Sequence, residues 1–553
     1  MKKKIKLGIL LNSYLVPFWS YKMIEEINNS SYAEINLIVK NDSKIIKNNF
    51  FKKIKYNFNS IFYVIYRKLD KKIFHNKIDA FNLIDVRNIL KVDEIIVDPI
   101  KTKFRDKLKN DDINLIKKHQ VDLFIRMGFR ILSGDILKIS NYGVWSYHHG
   151  DNEVNRGGPP GVWEVINGWG DTGVTLQILN ENLDGGEVLH KSFSLTNYKS
   201  VNRNVNNYYL KAISFLPSKI KELHDKGENV FFEKVKKDNE FPDFYSNPLF
   251  VSPTNKEMSV FLFKMFFRSF KDMINKLLYI NQWALQYKID QHNTISRSFY
   301  KFKKILPPKD RFWADPHILK KDDKYYIFIE ELIYKENKGF ISVIEMNSKG
   351  EYTNPVKVLE KDYHLSYPFV FEEEGIYYMI PESKENKTID LYYAKNFPYE
   401  WEFKKTLIED IAAVDATILF HKEKYWIFAN VVSNEGASSL DELFLYSSET
   451  LLSDKWVSHP NNPIISDVRK SRPAGKLFLY KNNLYRPSQN CSKNYGYGMR
   501  VNQVLKLSET DYEEKIVSSI YPNWDKKLFA THTLSSCENL TVIDGCFKRK
   551  RYF

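Results

Sequence analysis

The sequence predicts an α/β domain of Rossmann-like kind followed by an all-β domain, a five-bladed β-propeller, and three observations carry that prediction. Up to about residue 235, short apolar runs alternate with longer periodic stretches, the pattern of a parallel sheet with helices on its faces. From about residue 285, short aromatic strands recur at a spacing near fifty residues, the signature of propeller blades. The length, 553 residues with 43% hydrophobic and 15% aromatic, is too great for one core and ample for two or three. The same composition excludes a disordered chain. Three cysteines, Cys491, Cys537 and Cys546, are too few for a disulfide scaffold and badly spaced for structural zinc. No metal is expected, and a reducing cytoplasmic setting is. The basic start, MKKKIKLGILL, has a brief apolar run without a small-residue cleavage site and reads as a first strand, Ile5 to Leu11. No stretch is long and apolar enough to span a membrane.

In the first half, IKLGILL, AEINLIV, EIIVD and VDLFIRMG read as strands, and KFRDKLKNDDINLIKKHQ reads as a helical run between them. No glycine-rich dinucleotide fingerprint follows the first strand, where Leu11-Asn12-Ser13-Tyr14 stands, so NAD and FAD are not implied. Residues 236–284 read as a connecting helical segment, with SVFLFKMFFRSFKDMINKLLYI at its centre.

In the second half, 285–553, two series align. One is WADPHIL at Trp313, LSYPFVF at Leu365, AVDATILF at Ala413, SRPAGKLF at Ser471 and FATHTLSS at Phe529. The other opens at Tyr325, Tyr377, Tyr425, Leu484 and Leu540, in steps of 52, 48, 59 and 56 residues. Five units mean five blades. The last unit is short, so a strand within 283–289 or 298–305 is expected to complete it.

The net charge of +15 is concentrated. Between Lys40 and Lys77 eleven Lys/Arg stand against two acids, interleaved with Phe50, Phe51, Ile54, Phe58, Phe62, Ile65, Leu69 and Ile73 at roughly helical spacing. A basic, aromatic helix in this insertion, 40–77, suits a peripheral contact with an anionic membrane; a solvated helix packed on its own domain is the alternative. No zinc, helix-turn-helix or RNA-binding signature accompanies the charge, so nucleic acid is not an expected partner.

The densest chemistry lies between Arg126 and Leu189. RMGFRIL ends one strand, SYHHG ends the next, RGGPPG forms a stiff loop, and TGVTLQIL leads to the turn NENLDGGEVL. Strand ends of an open α/β sheet are where ligands bind, and here they deliver His148 and Asp184 to one edge. An imidazole beside a carboxylate is an acid/base pair, or a way of keeping the imidazole charged opposite an oxyanion. His149 points to the opposite face of its strand, as a packing or substrate contact.

The order and spacing of this block resemble the 10-formyltetrahydrofolate-dependent formyltransferase family. The resemblance covers roughly residues 1–215 and is specific over 121–190. It implies a formyltransferase-like domain over 1–235 with 10-formyltetrahydrofolate as cosubstrate. It also implies a catalytic set in which the family His and Asp fall on His148 and Asp184, while the family Asn falls on Ser146, a departure. The same resemblance places the pterin against the backbone of Phe129, Arg130, Ile131 and Leu132 and of Glu181, Asn182 and Leu183 up to Asp184. Arg156, Gly157 and Gly158 would border the amine's entry.

In the propeller, each blade's first motif puts a polar group at an equivalent place, giving a funnel of Asp315, Ser366 or Tyr367, Asp415, Arg472 and His532, with Glu382 as a further acid. WADP and VDAT resemble the acids of arabinanase-type five-bladed glycosidases, although Arg472 stands where that pattern needs a Glu. The whole series WADP, HLSYPF, IPES, VDAT, SRPAG, YRPSQN and THT resembles the N-terminal domain of plant glucosamine inositolphosphorylceramide transferases. An Arg–His–carboxylate funnel suits a phosphorylated or acidic sugar as well as it suits catalysis. Together these resemblances imply formyl transfer to the amine of a nucleotide- or lipid-linked amino sugar in surface-glycan (lipopolysaccharide) biosynthesis, with a propeller that binds or processes the glycan. The alternatives are glycosyltransferase or glycosidase-like activity in the propeller beside a degenerate first domain, and a non-catalytic glycan-binding protein. The expected location is cytoplasmic, at the inner face of the membrane.

Overall fold

The computed structural model describes residues 2–42, 58–241, 244–290 and 295–551. Its internal contacts divide the chain into two units, Met1–Phe266 with Asn434–Ala437, and Phe267–Ser433 with Ser438–Phe553. The division falls inside a helix, Asn255–Leu278, within the expected connecting segment 236–284.

The first unit is built on a seven-stranded sheet in the order Glu187–Leu195, Asp171–Ile178, Val144–His148, Leu123–Arg126, Ile5–Leu11, Ala33–Asn41, Asp93–Val97. The last five run parallel, and the first two are antiparallel to their neighbours. The sheet is therefore mixed where the alternating pattern suggested a parallel one. The turn 179–186 is too short for a crossover, so the strand after it returns as a hairpin. Ile5–Leu11 is the central strand and is apolar on both faces. Leu7, Ile9 and Leu11 pack with Trp19, Met23 and Ile27, while Leu10 packs on the other face with Ile113, Ile116 and Phe124, as a period of two requires.

The run KFRDKLKNDDINLIKKHQ is not one helix. Arg105–Lys107 is a short strand and only Asn110–Lys117 is helical. Buried Asp106 pairs with Arg130 at 2.7 Å, and this draws 105–107 into parallel pairing with Ile131–Ser133. Of the basic insertion, Ile61–Ile73 is a helix that buries Tyr66 and Asp70; Lys44, Lys47, Lys52, Lys53, Lys55, Phe50, Phe51 and Ile54 lie outside the described residues.

The second unit is a five-bladed β-propeller. Four blades follow in sequence, opening with Arg311–Lys321, Ser366–Glu373, Ala413–His421 and Phe478–Tyr480. The fifth joins both ends of the unit: Tyr279–Ile289 pairs antiparallel with Leu540–Lys550 from Tyr279↔Lys550 to Ile289↔Leu540, and Lys303–Ile305 adds to its edge. The ring is thus closed by hydrogen bonds between segments far apart in sequence, which leaves no frayed terminal sheet.

The first strands of blades one to three carry the same irregularity. Register slips between Ala314 and His317, Ser366 and Phe369, and Val414 and Thr417. Asp315, Tyr367 and Asp415 sit in those bulges with φ of 50°, 42° and 52°. Left-handed backbone is costly for such residues, and bulges re-aim side chains beside sites. In blade four, Pro473 lacks the N–H a ladder needs, and SRPAG is held by an isolated bridge to Ser488 instead of a strand.

Candidate functional site

Val144–His148 alternates its side chains, so Ser146 and His148 share a face. The His148 Nδ1 lies 3.3 Å from Asp184 Oδ2, and its Nε2 lies 2.6 Å from the Asn155 carbonyl. A carbonyl can only accept, so Nε2 carries a hydrogen; a carboxylate faces Nδ1, so protonation there is favoured as well. Burial works against the imidazolium, but Asp184 and the Asn155 carbonyl raise its pKa above the ordinary 6.5. Burial opposes the Asp184 charge too, yet His148, the Gly157 N–H and Arg126 hold its pKa below the ordinary value. Both shifts favour the charged forms, the imidazolium and the carboxylate.

Asp184 has φ of 51° and accepts the Gly157 N–H at 3.2 Å. Gly157 itself has φ of 100°, and a Cβ there would meet the Phe250 carbonyl at 2.3 Å, so only glycine fits. Arg156 donates to the Asn152 carbonyl at 2.8 Å, lies over the Tyr245 ring, and borders Gly185 of the Asp184 turn. Gly158 is tied through its N–H to the Phe250 carbonyl. The loop and the pair are therefore one structure. Behind His148, Asn155 reaches the buried Glu164 at 3.1 Å, whose pKa burial raises. His149 stacks on Tyr209 with centroids 3.6 Å apart, and burial holds it well below 6.5; it is a packing residue.

The residues expected to meet a pterin come together around Arg105, which donates to the Glu181 carboxylate and carbonyl at 3.0 and 3.1 Å. Glu181 also accepts the Gly134 N–H, joining the turn to the end of the strand Ile131–Ser133. That strand pairs on one side only, leaving Ile131 and Leu132 an open edge of N–H and C=O groups. A planar ring with donors and acceptors along one edge fits such a rim. Asn182 is exposed, its backbone N–H on the Asn180 side chain. The Arg126 guanidinium takes one bond to the Phe129 carbonyl, at 3.2 Å, and two to the Arg130 carbonyl, at 2.9 and 3.2 Å, so Arg130 presents no free acceptor and Phe129 keeps one. Arg126 is the residue that sequence reasoning passed over: it also donates to Ser146 Oγ at 3.1 Å.

In the second unit, a cavity of about 230 Å³ gathers Asp315, Ser366, Glu382, Arg472 and His532, together with Trp283, Glu330, His364 and Tyr495. Asp415 lies behind it, fully buried, gripping Arg472 at 2.5 and 3.0 Å. Tyr495 covers the Arg472 guanidinium and Glu382 lies 3.5 Å from it, so Nε and Nη2 of the fork that would seize a phosphate are already engaged by protein, against the expectation of an acidic-sugar hand. Burial and neighbouring Asp415 drive the Glu382 pKa well up. Burial lifts Asp315 to about 7. His532, stacked on Trp283 at 4.1 Å, rises to about 9 despite burial, through Asp544 and Asp315. Asp315, His532 and Asp544 lie close enough to hold a cation. Asp544, however, accepts the backbone N–H groups of Asp315, His532 and Thr533 and the His532 ring N–H, so its lone pairs are engaged. His364 opens the HLSYPF motif and Trp283 the strand expected at 283–289, but neither was marked as a site residue; Tyr495 lies outside the repeated motifs.

The family model described as glucosamine inositolphosphorylceramide transferase 1, N-terminal, matches residues 305–536. Glucosamine inositolphosphorylceramide transferase 1 of Arabidopsis thaliana is 35% identical over 247 residues, 42% of this chain and 32% of that protein. Methionyl-tRNA formyltransferases of Prochlorococcus marinus are 35% identical over 92 residues, 16% of this chain and 27% of that protein, in one strain, and 31% over 139 residues, 23% and 42%, in another. The chain thus spans between about a quarter and two-fifths of the length of these relatives. The C-terminal region of this chain carries the N-terminal domain of the glucosamine inositolphosphorylceramide transferase 1 family, and its N-terminal half is formyltransferase-like.

Proposed function

We propose that the first unit transfers a formyl group from 10-formyltetrahydrofolate to the amine of a nucleotide- or lipid-linked amino sugar in surface-glycan biosynthesis, and that the propeller binds or processes the glycan. The observation that carries this reading is the His148–Asp184 ion pair, buried at the end of a sheet strand and locked to a glycine loop. Bound formyl-folate would supply a formyl carbon that takes the amine nitrogen as its bond to the folate nitrogen breaks. Asp184, the carboxylate of the pair, accepts the proton that the amine must lose. His148 keeps that carboxylate charged until the amine attacks, and Asp184 then returns the proton to the departing nitrogen, so none is gained or lost overall. Release of tetrahydrofolate on incubation with 10-formyltetrahydrofolate and a panel of 3- and 4-amino-sugar nucleotides tests the reading.

The pair sets a pH dependence. Asp184 titrates below its ordinary 3.8 and His148 above its ordinary 6.5. The ion pair is complete only between the two. The stability His148 adds is present at low and neutral pH and is lost as pH rises through its raised pKa; the Asp184 share is lost as pH falls through its lowered one. The rate should fall on the alkaline side as His148 loses its proton, and His148→Gln should abolish that alkaline limb in a pH–rate profile.

A second reading, glycosyl transfer or hydrolysis in the propeller, is favoured by Glu382 and Asp315, two funnel carboxyls whose proton affinities are raised by burial. Substituting Asp315 separately from His148 and asking which change ends turnover separates the two readings. Catalysis in the propeller requires the Asp315 variant, and not the His148 variant, to be inactive.

The helix Ile61–Ile73 supports a membrane-proximal location. Ile65, Leu69 and Ile73 are 50, 52 and 64% exposed along one stripe, flanked by Lys68 and Lys72. Among the described residues no helix is long and apolar enough to cross a membrane. Cosedimentation with phosphatidylglycerol-containing vesicles, lost on charge reversal at Lys68, Lys71 and Lys72, is the expected result; absence of binding by the intact chain refutes it.

A further inference from the structure

We infer that Arg126 is the group that stabilises the negative charge developing on the formyl oxygen, in the role that the side chain at position 146 does not fill. This inference rests on the formyl-transfer reading of the same site.

Attack of an amine on a formyl carbon forms a C–N bond and pushes an electron pair onto the formyl oxygen. The pair returns when the bond to the leaving nitrogen breaks, and the amine proton ends on that nitrogen. A hydrogen-bond donor held at the oxygen before the reaction lowers the barrier most, because it stabilises charge that exists only in the transition state. The donors of the site can be counted. His148 has two ring N–H groups as the imidazolium, and they face Asp184 and the Asn155 carbonyl. Ser146 has one hydroxyl hydrogen, which goes to the Tyr147 carbonyl at 3.3 Å. The Gly157 N–H goes to Asp184. None of these is left for a substrate oxygen.

Arg126 has five N–H groups. Nε donates to the Arg130 carbonyl at 3.2 Å. Nη2 donates to the Phe129 and Arg130 carbonyls. Nη1 donates to Ser146 Oγ. The second N–H of Nη1 has no acceptor among the described residues. It is a donor left over on the face that carries Ser146 and His148, because Arg126 pairs in register with Ser146 on the adjacent parallel strand. Three carbonyl bonds and the serine oxygen fix the guanidinium in place, so it needs no reorganisation during the reaction. Asp184 and Asp106 are the carboxylates whose fields support its charge against burial. The Ser146 oxygen therefore positions the cation instead of meeting the substrate. The guanidinium gives up no proton, so the proton balance stays with Asp184 and His148.

The test uses the full chain and measures tetrahydrofolate release with 10-formyltetrahydrofolate and the amino-sugar nucleotide panel, separating kcat from KM. Arg126→Met should lower kcat by about 10²–10³-fold, the loss seen when one oxyanion donor is removed, with a much smaller change in KM for the folate. Ser146→Ala, which loosens the guanidinium without removing it, should cost on the order of tenfold. The double variant Arg126→Leu/Ser146→Asn, which returns an amide to position 146, should recover at least about tenfold over Arg126→Met, a rescue that a merely structural role for Arg126 does not produce. Should Arg126→Met fail to fold, Arg126→Lys keeps a cation without the fork and should show a kcat loss smaller than that of His148→Ala. If the Arg126 variants keep kcat within about threefold of the parent while His148→Ala is dead, the inference falls and formyl transfer stands. If the parent itself releases no tetrahydrofolate with any acceptor, both fall.

Discussion

Replacing His148 with Ala is expected to lower the rate of formyl transfer by about 10²–10⁴-fold, the range for loss of a positioned acid/base group. Asp184→Ala should do the same, and the double variant should be little worse than either single one, because each residue holds the other in its working charge state. The physical basis is the closeness of the pair, 3.3 Å apart, with His148 buried and Asp184 half-buried. Removing Asp184 leaves an imidazole whose Nδ1 faces no carboxylate, so its pKa drops toward that of a buried neutral ring. Titration of the His148 ring by NMR in Asp184→Ala checks this without any acceptor sugar: the midpoint should move down from its raised position. If the midpoint stays where it was, the pair is not coupled.

In the propeller, Asp415→Ala is expected to destabilise the second unit by about 3–5 kcal/mol, the cost of leaving one partner of a buried ion pair uncompensated. Arg472 is the partner left behind. It is gripped through two nitrogens and covered by Tyr495, and Glu382, 3.5 Å away, is the carboxyl that remains beside it. Glu382→Gln, by contrast, should be close to neutral. Burial and Asp415 raise the proton affinity of Glu382, which favours the neutral carboxyl, and an amide has nearly the shape and hydrogen-bonding of that form. Guanidinium unfolding of the two variants against the parent reads the difference directly. Equal losses in both would mean that Glu382 is ionised after all.

Much of this architecture was legible in the sequence, because two strong periodicities carry it. Alternating apolar strands announced the first unit, and Trp313, Leu365, Ala413, Ser471 and Phe529 marked the five blades. The mixed character of the first sheet was not legible, because the direction of a strand depends on the length and path of its connection more than on its own residues. The helical pattern at 103–120 misled for a physical reason: the buried Asp106 carboxylate pairs with the half-exposed Arg130, outweighs local propensity and makes 105–107 a short strand. In the site, His148, Asp184 and Arg156 could be picked from motif spacing. Arg126 could not, since an arginine at a strand end looks like a solvated charge until its donors are counted. Likewise Arg472 reads as an anion-binding hand in sequence, and becomes a structural cation only once Asp415 is found clamped to it.

Mass analysis of the amino-sugar nucleotide after incubation with the chain and 10-formyltetrahydrofolate tests the central claim most directly. The account predicts a formylated amine that is formed by the parent protein and absent with His148→Ala. An acceptor left unmodified across the whole panel, or one formylated equally well by His148→Ala, would contradict it.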